Sequence, residues 1–143
     1  MTVQYLNPAG LMQQTPYHHV AAASGTTHLL LSGQVSRAAD GTPIAPYDLG
    51  GQVAQVMRNV ATALAAAGAS FENVVHLRFY VVKWRPEHTE EFMGALAAVA
   101  EEVGLAFPMP PTTLIGVESL FEPDILVELE ASAVTDGVVQ KTS

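Results

Sequence analysis

The chain has 143 residues, 49% of them hydrophobic and 14% charged, and its six basic and 14 acidic side chains give a net charge of −8. That apolar share excludes a disordered polyelectrolyte, the scattered basic residues oppose a nucleic-acid groove, and the lack of cysteine excludes disulfide scaffolds, thiolate metal sites and thiol catalysis. A charged share well below the usual ~25% points to surface hidden in an oligomer.

No apolar run reaches the ~18 residues of a membrane span, and the first residues lack the blocks of a secretory leader, so a soluble, cytoplasmic chain without membrane partners is expected. Val3 to Leu6 reads as a short strand closed by Asn7-Pro8. Tyr17 to Ala23 and His28 to Gln34 read as two more, with Ser24-Gly25-Thr26-Thr27 as the hairpin turn between them. Asp40-Gly41 marks a turn, and Pro43 and Pro46 keep the next stretch irregular. From Asp48 the period changes. Val53, Val56, Met57, Val60 and Leu64 recur at helical spacing, Asp48 suits the N-cap and Gly68 the stop, and Gln52, Gln55 and Arg58 fall on the polar face.

Val74 to Val82 returns to strand, with Leu77, Phe79 and Val81 on one side and Arg78 and Tyr80 on the other. Pro86 opens a second helix with the stripe Phe92, Leu96, Val99 and Val103, which Gly104 ends. Pro108, Pro110 and Pro111 form a rigid connector into a strand over Thr112 to Val117. Ile125 to Val134 alternates most clearly: Ile125, Val127, Leu129, Ala131 and Ala133 line one side, and Leu126, Glu128, Glu130 and Ser132 the other. The pattern predicts one α/β (α+β) domain over residues 1–134, with a polar tail over 135–143 that frays. Two amphipathic helices cover one face of one sheet. The other face, holding Arg78, Tyr80, Glu128 and Glu130, becomes a candidate subunit interface.

Adjacent His18 and His19 point to opposite sides of a strand and cannot chelate one ion, and His28, His76 and His88 lack ligand spacing, so no metal site is expected. Glu128 lies in an apolar strand. It reads either as a solvent-facing or interface carboxylate, or as one with a raised pKa that orients water or shuttles protons. Glu130 reads as the partner of a basic residue such as Arg78. Ser32-Gly33-Gln34 reads as a bulge or turn, or as a place where backbone N–H groups approach a ligand. No P-loop, GxGxxG or GxSxG pattern occurs.

Taken together, several segments resemble the RidA family, also called YjgF/YER057c/UK114. They are Tyr17; Leu31-Ser32-Gly33-Gln34; Asp40-Gly41-Thr42; Gln52-Val53 through Asn59 to Ala66-Ala67-Gly68; Asn73-Val74-Val75; Phe107-Pro108 to Pro111; and Val127-Glu128-Leu129-Glu130-Ala131. The resemblance implies a chorismate-mutase-like fold of the bacillus type, with a mixed β-sheet backed by two helices. It also implies a barrel-like homotrimer with a small-molecule ligand in each inter-subunit cleft. The implied activity is hydrolysis of enamines and imines released by pyridoxal-phosphate enzymes, giving 2-keto acids and ammonia without cofactor or metal. By the same resemblance Glu128 positions the attacking water, Tyr17 donates a hydrogen bond, and the backbone at Ser32 and Gly33 completes the pocket.

The family's carboxylate-gripping arginine falls on Thr112, which makes the chain similar to the arginine-lacking subgroups. A hydroxyl does not replace a bidentate guanidinium, and the lost contact is worth about 1.5–3 kcal/mol. General 2-imino acid deamination is therefore not expected. The expected ligand is a small metabolite open to water addition at C=N or C=C, or to proton transfer, with the Thr112 hydroxyl and the Gly33 backbone holding a polar group. Arg78, and after it Arg37, are the candidates for a substitute cation. Trp84, in Lys83-Trp84-Arg85-Pro86 where the family carries an acidic residue, either lines the pocket or packs under a loop. The alternative is a non-catalytic metabolite-binding or regulatory trimer. A ribonuclease, an activity of some relatives, is opposed by the net negative charge.

Overall fold

The computed structural model describes residues 2–137 and Val139. Its elements in chain order are β1 (Thr2–Leu6), β2 (Val20–Ser24), β3 (Thr27–Gln34), α1 (Leu49–Ala66), β4 (Val74–Val82), α2 (Thr89–Val103), β5 (Thr112–Val117) and β6 (Val127–Thr135). Short 3-10 turns at Phe71–Asn73 and Pro86–His88 lead into β4 and α2. The main sheet runs β3-β6-β4-β5. β6 is antiparallel to both neighbours, and β5 lies parallel to β4 through the α2 crossover. This is the sheet backed by two helices that the pattern predicts, and the mixed, chorismate-mutase-like architecture that the resemblance implies.

Alternation in β6 decides where the core sits. Ile125, Val127, Leu129, Ala131 and Ala133 are all buried, as are Leu77, Phe79 and Val81 of β4. Against them pack Val53, Val56, Met57, Val60 and Leu64 of α1 and Phe92, Leu96 and Val99 of α2. Each large side chain buried this way contributes about 1.5–3 kcal/mol. The helix signals act as the sequence predicts: Asp48 accepts from the Gly51 N–H at the start of α1, and Gly68 takes the left-handed φ of +73° just beyond its end.

Three expectations are corrected. The segment 24–27 does not close a hairpin, because β2 pairs with β1 in a separate two-stranded sheet while β3 pairs with β6. Leu29 and Leu31 of β3 reach the core only beside β6, whereas the small residues of β2 are mostly exposed. The strand expected from Tyr17 begins at Val20, and Tyr17 makes an isolated bridge to Met109 instead. Gln52 is not on a solvated face but fully buried. Its amide donates to the carbonyls of Ala45 (3.0 Å) and Asp124 (2.7 Å) and accepts from the Leu126 N–H (2.8 Å). Those three bonds make the burial tolerable and tie α1 to the loop that feeds β6.

Of the tail predicted over 135–143, Thr135 completes β6. Gly137 donates through its N–H to Thr26 Oγ1 at 2.9 Å and accepts from the Thr27 hydroxyl. Val138 and residues 140–143 lie outside the described residues.

Replacing Gln52 by Leu keeps the volume but strands the Leu126 N–H, while the Ala45 and Asp124 carbonyls keep the Asp48 and Tyr47 N–H groups as donors. The expected loss is about 1–3 kcal/mol in urea unfolding. A loss below about 0.5 kcal/mol would show that the amide anchors nothing.

Candidate functional site

The face of the sheet away from the helices is built by register. Tyr80 sits opposite Glu128, Arg78 opposite Glu130 and His76 opposite Ser132. Thr113 and Ile115 of β5 follow beside Arg78 and Tyr80, and Leu30 of β3 lies beside Ser132. Side chains opposite one another in a ladder share a face, so these groups form one continuous surface. Leu30 on that surface is 83% exposed.

Its two carboxylates have opposite environments. Glu130 Oε1 accepts from the Tyr80 hydroxyl at 2.5 Å and from Arg78 Nη1 at 2.8 Å. Those two bonds, Tyr80's the larger, hold the Glu130 carboxyl below the ordinary range, and Arg78 and Tyr80 are raised in turn chiefly by their bonds to Glu130. His76 is shifted down, first by burial and then by the Arg78 charge.

Glu128 has no hydrogen-bond or ion-pair partner among the described residues. Burial, and secondarily the charge of Glu130, pushes its pKa up. Its carboxylate lies directly over Gly33, where a Cβ would come within 2.0 Å of Oε2. The backbone there is irregular, because the β3–β6 register shifts between Leu31 and Gln34. Gly33 therefore lies in a bulge, and the group that comes close to it is the Glu128 carboxylate. One carboxylate held ionised beside one pushed toward its protonated form is the arrangement that lets neighbouring acids take different roles.

The other candidate residues are spread more widely. Ser32 lies beside Gly33, exposed, and its carbonyl accepts from Gln34 Nε2 at 3.2 Å. Tyr17 sits beside the 108–111 connector with its ring edge-on to His19 at 5.5 Å, and no hydrogen bond joins it to Glu128 among the described residues. Thr112 pairs in register with Leu77, which places it on the helix-side face, and its hydroxyl donates to the Pro110 carbonyl at 2.7 Å. Trp84 packs edge-on against Phe92 at 5.7 Å and His88 at 5.8 Å. Arg37 clamps Asp124 through both terminal nitrogens (2.9 and 2.8 Å) and reaches Glu122 at 3.0 Å, which anchors the loop before β6. Among the described residues no cluster of three or more His, Asp or Glu is placed to hold a metal ion. Sequence reasoning placed Tyr80 on this face but missed its bond to Glu130. It also missed the seat of Glu128 on Gly33, which depends on the bulge.

The family model for Endoribonuclease L-PSP matches residues 9–135. The RutC family protein YjgH of Escherichia coli (strain K12) is 32% identical over 125 residues, which span 87% of this chain and 90% of YjgH. Among solved structures, the conserved Rid-family protein YyfB of Yersinia pestis, itself of unknown function, superposes with a TM-score of 0.83 at 30% identity, covering 94% of this chain and 99% of YyfB. TdcF of E. coli, solved with bound serine, has a TM-score of 0.64 at 21% identity and covers 84% of this chain and 88% of its own.

A carboxyl whose pKa is raised by folding favours the folded state most below its unfolded pKa, and that advantage is lost as pH rises through the folded value. Glu128→Gln is therefore expected to raise the melting temperature near neutral pH and to lose this gain as the solution is acidified. Melting curves across that range check it. A gain that is independent of pH would assign the effect to packing.

Proposed function

Because this chain belongs to the RidA (YjgF/YER057c/UK114) family, we propose that it forms a homotrimer whose inter-subunit clefts take up a small metabolite bearing a C=N or polarised C=C bond, with Glu128 as the acid–base group. The observation that carries this reading is the unpartnered Glu128 carboxyl, raised in proton affinity and seated over Gly33 beside an ionised Glu130. A carboxylate of raised pKa is the stronger base and, once protonated, a usable acid near neutral pH.

For an imine the chemistry balances without a cofactor. Water oxygen bonds to the imine carbon as Glu128 takes a water proton, and the C=N π electrons pass to nitrogen. Glu128 returns the proton to that nitrogen. Glu128 then takes the carbinolamine hydroxyl proton and passes it to the amino nitrogen, the C–N bond breaks with its electron pair going to nitrogen, and ammonia leaves a carbonyl behind. The backbone at Ser32 and Gly33 and the Tyr17 hydroxyl hold the ligand's polar groups in the cleft. Thr112, on the helix-side face with its hydroxyl on the Pro110 carbonyl, takes no part in holding the ligand.

The ligand is not a simple 2-imino acid. Thr112 stands where the family arginine falls, Arg78 is committed to Glu130, and Arg37 to Asp124 and Glu122. An RNA substrate, suggested by the family model's description, is disfavoured by the net charge of −8 and by these pairings.

The test is a coupled assay in which a pyridoxal-phosphate enzyme generates 2-iminobutanoate in situ. Keto-acid release is expected to stay at background with this chain present. The 2-iminocarboxamide analogue, which lacks the carboxylate, is expected to be hydrolysed, with a loss of about 10²–10⁴-fold in Glu128→Gln. Acceleration with 2-iminobutanoate that Arg78→Ala abolishes would overturn the substrate assignment, and binding of the carboxamide without turnover would establish the non-catalytic trimer. In the trimer the open face is covered, so Leu30→Glu is expected to yield monomers in sedimentation velocity. A variant that stays trimeric would place the interface elsewhere.

A further inference from the structure

A groove of about 370 Å³ opens beside the proline connector, between β1, the Phe71–Asn73 turn and residues 104–110. Its walls include buried Phe71 and Leu105 and the exposed ring of Phe107. Tyr5 and His18 line it as a parallel stack, with ring centroids 4.1 Å apart and planes 8° apart. Glu72, exposed, supplies a carboxylate at the edge.

The hydrogen bonds around Asn7 decide what His18 offers. The His19 backbone N–H donates to Asn7 Oδ1 at 2.9 Å, so the other end of that amide, Nδ2, is the atom that meets His18 Nδ1 at 2.9 Å. Nδ1 must then accept, and the ring proton resides on Nε2. That Nε2–H has no partner among the described residues, and neither has the Tyr5 hydroxyl, whose pKa burial raises. The groove therefore combines apolar aromatic walls, two donors on a fixed aromatic stack, and one anionic acceptor.

We propose that this groove is a second binding site, separate from the open sheet face, for a small planar heteroaromatic amine. The ring packs against Phe71, Leu105 and Phe107, an unprotonated ring nitrogen accepts from His18 Nε2–H or Tyr5 O–H, and the amino group, as an ammonium, pairs with Glu72. The volume suits one such ring with a short side chain. The negative chain as a whole favours cations over anions there.

Histamine tests the site on the full chain, by titration followed through backbone amide shifts. Saturable shifts are expected at Tyr5, His18, Glu72 and the 104–107 segment. Imidazole-4-acetate, which has the same ring and the opposite charge, is expected to bind roughly tenfold more weakly. Glu72→Gln is expected to weaken histamine roughly threefold to tenfold, the range for an exposed ion pair assisted by a hydrogen bond. Tyr5→Phe, which preserves the stack, should weaken it while leaving the melting temperature near that of the parent. Glu128→Gln should leave histamine binding unchanged whether or not it abolishes imine hydrolysis, so the two sites fail or stand independently. Absence of saturation, equal binding of the acetate, or loss of binding in Glu128→Gln would each overturn the proposal.

Discussion

The period-two alternation of β6 is the constraint on which the other features rest. This strand is paired on both edges, so neither can twist away, and its two faces meet opposite environments. The side carrying Val127, Leu129, Ala131 and Ala133 meets the helices and is closed to water. A slip of one residue would turn Glu128 and Glu130 into that core, at the cost of burying two carboxylates with no basic group beside them. Hydrophobic burial on one side therefore fixes the position of the acidic groups on the other.

Within that face, the difference between the two glutamates arises across the strand rather than along it. Antiparallel pairing with β4 brings Arg78 opposite Glu130 and Tyr80 opposite Glu128. The Tyr80 ring reaches diagonally so that its hydroxyl also serves Glu130. Glu130 thereby gathers both donors, and Glu128 is left to the bulge at Gly33 with only a repulsive neighbour. An ionised, hydrogen-bonded Glu130 both stabilises the Arg78 charge and raises the proton affinity of Glu128.

A second layer of order lies at the entrance to β6. The Asp124 side chain is held by Arg37, and its carbonyl by Gln52. With exposures of 13% and 15%, the Arg37–Asp124 pair is shielded more than a surface ion pair, and its two parallel N–H···O bonds fix direction as well as distance. Together these contacts join the 35–37 loop, the start of α1 and the start of β6. They set where Val127, and hence Glu128, begins its alternation. An arginine that might have gripped a ligand is spent here on architecture.

The sequence by itself determined the elements, the face each buries, the helix cap at Asp48 and the stop at Gly68, because these depend on local periodicity and on backbone preferences of single residues. It also carried the family resemblance, through motifs whose order survives in one dimension. The partner of each strand, the burial of Gln52, the fate of each arginine and the contrast between Glu128 and Glu130 were decided only by the tertiary structure. Gln52 looks polar by its own chemistry. It is buried because Ala45, Asp124 and Leu126, distant in sequence, converge on its amide. Arg78 and Arg37 are alike in composition, yet each is occupied by acids 52 and 87 positions away. Proton affinities and hydrogen-bond partners depend on distances of a few ångströms, and only the pairing of strands brings such groups together.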